Sequence, residues 1–199
     1  CIRDRYTSEN NSWLFEFPSL PKGRFNSVCF VYRDSLYVFG GTDNSSNMNE
    51  IVRYDLSTQN SGEWTTIAKV NEANQRGGVA FVVEDKVYAG LGEKSNGIRN
   101  GFYVSSDSLT KWELIPSIPA QLGVISSGVY DEQKKSFFMI DNDGKIWEYN
   151  LTTEQWTSRS LWIRMKNYHM FMLDGSIYIL GQDIYQKNKF TVYNPIWDN

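Results

Sequence analysis

The sequence predicts an all-β fold, a β-propeller of four-stranded blades, and three observations carry that prediction. Trp13, Trp64, Trp112 and Trp156 recur at intervals of 51, 48 and 44 residues. Short apolar runs with an aromatic anchor follow them: Leu36-Tyr37-Val38-Phe39, Val87-Tyr88-Ala89-Gly90, Phe137-Phe138-Met139-Ile140 and Ile177-Tyr178-Ile179-Leu180. Turn residues punctuate the runs. A period of roughly 40–50 residues with several short strands per unit is the pattern of a propeller blade. The units fall near 24–75, 76–122, 123–166 and 167–199, the last joined by 13–17, in one propeller domain or a fragment of one.

The first unit reads as strands Asn26 to Tyr32, Ser35 to Phe39, Ile51 to Asp55 and Trp64 to Ala68. Gly40-Gly41 ends its second strand, since glycine takes positive φ without a side-chain penalty. The polar stretch from Thr42 to Glu50 is a loop. The second unit runs Val79 to Val83, Lys86 to Gly90, Gly101 to Ser105 and Trp112 to Ile115. In the third, Phe137 to Ile140 meets Lys145 to Tyr149 across Asp141-Asn142-Asp143-Gly144, a tight-hairpin signal. The fourth runs Met170 to Leu173, Ile177 to Leu180 and Phe190 to Tyr193.

The chain has 199 residues, of which 41% are hydrophobic, enough for a sizeable core. Its net charge of −3 comes from 20 basic and 23 acidic side chains, well mixed. That excludes the basic stripe of a nucleic-acid binder and a polybasic membrane patch. No apolar run reaches the roughly 18 residues of a transmembrane helix. The chain begins at Cys1 without a signal-peptide pattern, which is also how a bacterial lipoprotein starts after processing. An extracytoplasmic, cell-envelope location with a lipid anchor at Cys1 is one expectation, and a cytoplasmic one the alternative. Cys29, within Ser27-Val28-Cys29-Phe30-Val31, reads as a small buried strand residue. Two cysteines make no disulfide framework or zinc site.

Arg24, Leu36-Tyr37-Val38-Phe39-Gly40-Gly41, Val52-Arg53-Tyr54-Asp55 and Trp64 together resemble a kelch repeat. That family's pattern is a basic residue, a strand ending in Gly-Gly, a Tyr-Asp pair and a tryptophan. Arg76, Tyr88, Gly92, Tyr103 and Trp112 follow it with Leu91 where the first glycine belongs. The third unit keeps Tyr149 and Trp156, with Asp141-Asn142 in place of the glycines, and the fourth offers Lys166, Tyr178, Gly181 and Tyr193. The resemblance extends to the divergent kelch-like propellers of bacterial cell surfaces and implies rings of six or seven blades.

Trp197 follows Tyr193 too closely to fill the tryptophan position of a fourth unit that stops after three strands. Trp13-Leu14-Phe15-Glu16-Phe17 resembles an orphan fourth strand. The expectation is that this strand completes the last blade and closes a four-bladed ring. The alternative is an arc of a larger ring with exposed strand edges, which natural proteins avoid.

Candidate chemistry is sparse. His169 is the only histidine and reads as a packed or hydrogen-bonded strand residue. One histidine cannot supply the pair that kelch-type copper oxidases use, and no nucleophile has another base. No cofactor or metal is expected; the Asp141 to Gly144 segment lacks the later ligands of a calcium loop. Ser105, Asp107 and Trp112 partly match the sialidase Asp-box, a structural turn in that family, with Leu109 at its glycine position. Arg24, Arg76 and Lys166 recur before the first strands, near the axis, where they bond carbonyls of the next blade or line an anion-binding channel. The loops Asp43 to Glu50, Glu93 to Arg99 and Gln182 to Asn188 share one face with the link carrying Trp162. Ligand-binding candidates are therefore Arg24, Asp43, Arg76, Glu93, Arg99, Trp162 and Asp183. The function expected is recognition or scaffolding of a protein or glycan through the loop face. The rival is a sugar epimerase or mutarotase, like the kelch-type sialic acid epimerases, with acid–base chemistry at Glu93, Asp43 or Asp183 beside Arg24 or Arg76. Fold alone decides neither.

Overall fold

The computed structural model of the chain describes residues 5–14, 18–58, 62–95, 97–98, 101–106, 108–116, 118, 125, 127–141, 143–162, 165–183 and 185–195. An N-terminal hairpin pairs β1 (Arg5–Thr7) with β2 (Ser12–Leu14). Four sheets follow, arranged as the blades of a propeller. Blade 1 is β3 (Val28–Tyr32), β4 (Ser35–Phe39), β5 (Glu50–Asp55) and β6 (Thr65–Lys69), antiparallel in chain order. Blade 2 is β7 (Val79–Val83), β8 (Lys86–Gly90), β11 (Phe102–Ser106) and β12 (Glu113–Leu114). A small hairpin, β9 (Glu93–Lys94) with β10 (Gly97–Ile98), sits in its long loop. Blade 3 is β13 (Gly128–Asp131), β14 (Ser136–Ile140), β15 (Lys145–Asn150) and β16 (Gln155–Trp162). Blade 4 has three strands, β17 (Lys166–Leu173), β18 (Ser176–Gln182) and β19 (Asn188–Tyr193).

Alternation along each strand sends side chains to both faces of a blade, so a blade can pack a neighbour on either side, as blades 2 and 3 do. Between blades 1 and 2, Phe30, Tyr37, Phe39 and Ile51 meet Val87 and Ala89. Between blades 2 and 3, Phe81 stacks on Phe137 with ring centroids 4.4 Å apart, and Phe102, Tyr88 and Tyr149 close around them. Between blades 3 and 4, Val129, Phe138, Ile140 and Ile146 meet Tyr168, Met170, Ile177 and Ile179. Each such buried side chain contributes about 1.5–3 kcal/mol relative to exposure. The cores lie between blades, not within them.

The Gly-Gly end of β4 has a steric cause. Gly40 and Gly41 sit at φ +64° and +95°, and a Cβ on Gly40 would lie 2.4 Å from the Ala73 carbonyl oxygen. The first strand of each blade contacts that of the next, β3 with β7, β7 with β13 and β13 with β17. Among the described residues no contact of that extent joins β17 to β3.

Several expectations need correction. Trp13 and Leu14 do not complete blade 4: β2 pairs with its own partner β1, and β19 has no fourth strand beside it among the described residues. Phe15, Glu16, Phe17 and Trp197 lie outside the described residues. Cys29 and His169 are exposed, because alternation turns each toward a blade face that no described residue covers. Trp162 is the last residue of β16, opposite Lys145, and not part of a link. Among the described residues no helix is long and apolar enough to cross a membrane.

Candidate functional site

The loops that follow the second strands of blades 1 and 2 meet on one face of the molecule. Asn47, in the first loop, donates its Nδ2 to the Glu93 carbonyl oxygen of the second at 2.9 Å. Arg76 and Glu93 exchange backbone hydrogen bonds at 2.9 Å in each direction. Above that bridge, Arg76 Nε and Nη2 both donate to Glu93 Oε2, at 3.0 and 2.8 Å. The Arg76 side chain remains 46% exposed, so the pair is a surface feature.

Asp43 belongs to the blade 1 loop that also carries Asn47. Its carboxylate takes an ion pair from Lys22 Nζ at 2.6 Å. Oδ1 also accepts from the Ser45 backbone N–H at 3.0 Å, the Ser45 hydroxyl at 2.7 Å and the Ser46 N–H at 3.0 Å. The Lys22 ammonium first, then these donors, hold the carboxyl well below the usual carboxylate range. Lys94, next to Glu93 in the chain, donates its Nζ to the Asn71 carbonyl at 2.8 Å.

Arg24 faces inward. Its side chain is 1% exposed, pairs with Glu50 Oε2 at 3.0 Å and donates through Nη1 to the Gly40 carbonyl at 3.2 Å. It clamps the end of β4 to the start of β5 within blade 1. Asp183 Oδ1 accepts the Tyr185 and Lys187 N–H groups at 2.8 and 3.0 Å, shaping its own loop in blade 4. No described contact joins Asp183 to the Asp43–Glu93 cluster. Arg99 lies outside the described residues, as do the side chains of Trp162 and Lys166. The structure thus joins Arg76 to Glu93, ties the loop that carries Asp43 to Glu93 through Asn47, and sets Arg24 apart in the sheet.

Lys22, Asn47 and Lys94 were not legible as site residues. Only the Asn/Ser-rich character of the loops marked their neighbourhood. The part-buried ion pair between Glu148 and Arg159 in blade 3 was not legible in the sequence either.

Two other motifs resolve into turns. Asp141 Oδ1 accepts the Asp143 and Lys145 N–H groups, each at 2.9 Å, and Oδ2 accepts Trp147 Nε1 at 2.8 Å. Both carboxylate oxygens are thus engaged in the hairpin, and no group of three metal-ligating side chains occurs among the described residues. In the Asp-box-like turn Leu109 takes the glycine conformation, φ +56°, while Ser105 Oγ donates to the Lys111 carbonyl at 2.6 Å. Asp107 lies outside the described residues. Near the axis, Ser27, Cys29, Ala80 and Ser127 line an open cavity of about 270 Å³.

Residues 23–71 match the family model of the Kelch motif. No curated protein matches the chain significantly in sequence. Among solved structures, that of YjhT is similar with a TM-score of 0.74 at 14% identity, covering 96% of this chain and 75% of its own. At that identity the likeness is one of fold. Blade 1 carries the matched motif, with Arg24, Gly40-Gly41 and the Tyr54–Trp64 ring pair at 5.4 Å; blades 2 and 3 repeat its four-strand order and blade 4 the first three strands of it. The chain is a β-propeller whose first blade carries a Kelch motif.

Proposed function

We propose that this propeller is a recognition module that binds a protein or glycan through the loop face where blades 1 and 2 meet. The observation that supports it is how the loop carboxylates are used. Asp43 is engaged by Lys22 and three hydrogen-bond donors, and Glu93 by Arg76. A general acid or base for sugar chemistry needs a pKa near the working pH. The Asp43 carboxyl moves the other way. Fixed, partly exposed charges on a stiff scaffold suit hydrogen bonding to a partner.

The test is amide NMR of the labelled chain against a glycan panel and against candidate protein partners, with Arg76→Ala as control. Saturable shifts at Asn47, Glu93 and Lys94 that Arg76→Ala abolishes, without turnover, are the expected result. Interconversion of sugar epimers or anomers that is lost in Glu93→Gln would replace this reading with the enzymatic one.

A further inference from the structure

A second polar cluster lies at the other end of blades 2 and 3 from the Asn47–Glu93 loops. In blade 3, Phe137 is flanked across the sheet by Tyr130 on β13 and Tyr149 on β15. Tyr88 of β8 packs on the same ring from blade 2. The centroids of Tyr88, Tyr130 and Tyr149 lie 4.9, 5.3 and 6.4 Å from that of Phe137. Tyr88 is the third residue of β8, and Tyr130 and Tyr149 are the last but one of β13 and β15. All three therefore stand beside short turns, which carry Glu84 before β8, Glu132 after β13 and Glu154 after β15.

The tyrosine hydroxyls are unused. Tyr88 is 8% and Tyr149 2% exposed, Tyr130 is half-buried, and no hydrogen bond to any of their hydroxyls occurs among the described residues. A buried tyrosine hydroxyl ordinarily finds a partner. The field around these hydroxyls is negative. Burial, then Tyr130, Glu154 and Glu84, push the Tyr88 hydroxyl up. Burial, then Glu132, Glu84 and Asp131, do the same to Tyr130. Burial, then Glu154 and Tyr88, push Tyr149 up to about 12. Glu84 thus acts on two of the hydroxyls and Glu154 on two, and no cation is among the groups that act on them.

The three glutamates are exposed and have no ion pair among the described residues. Nearby carboxylates are already engaged: Arg33 Nη2 faces Asp85 at 3.5 Å, and Asp131 Oδ1 accepts the Lys134 N–H at 3.1 Å. Lys86, Lys134 and Lys135 belong to the same turns, yet none pairs with the glutamates. What the cluster lacks is a cation that donates several hydrogen bonds. An ammonium has three N–H donors on a compact head, matching acceptors that converge from separate turns. The lysines at the margin repel a polybasic tract, so the fit is to one isolated ammonium on a partner surface.

We propose that this end of the blade 2–blade 3 interface docks a single lysine side chain of a protein partner, its ammonium held by the Tyr88, Tyr130 and Tyr149 oxygens inside the ring of Glu84, Glu132 and Glu154. This surface is separate from the loop face where blades 1 and 2 meet, and it stands or falls independently of that reading.

The test titrates the labelled chain with a capped Gly-Gly-Lys-Gly-Gly peptide and with the same peptide acetylated on the lysine, following amide NMR shifts. Saturable shifts at Glu84, Glu132 and Glu154, at least about tenfold weaker in affinity for the acetylated peptide, are expected. Glu132→Gln with Glu154→Gln should weaken binding by a similar factor. Tyr88→Phe with Tyr149→Phe keeps the ring packing and should weaken it at least about fivefold. Tyr130→Phe, at the half-buried position, repeats that measurement with the least disturbance of the core. Binding that a folded Tyr→Phe variant leaves unchanged would overturn the proposal, because a screened surface attraction needs no hydroxyl. So would equal binding of the two peptides, shifts at Asn47 and Glu93 in place of these turns, or no saturable shift.

Discussion

Blades 1 and 2 realise the same motif with different residues. Gly40 ends β4 at φ +64°, and Leu91 ends β8 at φ +63°. Blade 1 leaves no room for a side chain there, since a Cβ would strike the Ala73 and Gln75 carbonyls. Blade 2 has room, and Leu91 is 1% exposed in the core shared with blade 3. The left-handed conformation costs a side chain about 1–2 kcal/mol, and burial of a leucine contributes about as much or more. The basic residues diverge likewise: Arg24 is sealed inside its blade, and Arg76 stands at the surface. The repeat sets the backbone path, and the neighbouring blade decides what each side chain does there.

Substitutions at these paired positions can break that comparison. Gly40→Ala should be the most severe, above about 4 kcal/mol, because the clash is with backbone at positive φ; chemical denaturation measures it. Arg24→Met should cost about 3 kcal/mol by leaving Glu50 and the Gly40 carbonyl without their donor. Leu91→Gly should cost about 2 kcal/mol, since the cavity outweighs the relief of backbone strain. A stabilised Leu91→Gly protein would show that blade 2 merely tolerates its leucine. Arg76→Ala should lie within about 1 kcal/mol of the parent, as an exposed pair does. An equal loss for Arg24→Met and Arg76→Ala would erase the distinction drawn between them.

The smallest effect sharpens the contrast through pH. The folded Asp43 carboxyl titrates below its unfolded value, so its contribution to stability is present above the ordinary carboxylate range, near about 4. It is lost as pH falls below that range. Asp43→Asn should melt lower than the parent at neutral pH, and the difference should close in acid. A gap that persists at low pH would mean that the loop depends on the shape of Asp43 and not on its charge.

Strand alternation made most of the fold legible. The strand starting at Val79 and that starting at Lys86 fall where the apolar pattern puts them, because both faces of a blade are buried and glycine or paired turn residues end each run. The strand at Gly128–Asp131 was missed, as only four residues pair there. The hairpin was half seen: Trp13 stood out, but Tyr6 among polar neighbours did not. Exposure at Cys29 and His169 was illegible for a physical reason. A strand pattern states which face is apolar, not whether something lies on it. The loop cluster was legible only as carboxylates and arginines, since its cross-link runs through the Asn47 amide and backbone carbonyls.

The nearest-neighbour contacts between first strands carry a consequence for how the molecule comes apart. Each blade is stabilised by the blades beside it, so the fold behaves as a short one-dimensional stack whose end units have the least support. Blade 4 has one described interface, with blade 3. Among the described blades, unfolding should therefore begin at blade 1 or blade 4, each with one such interface, and reach last blades 2 and 3, which are held on both faces. Synthesis runs from blade 1 to blade 4, each new blade emerging next to one already able to receive it.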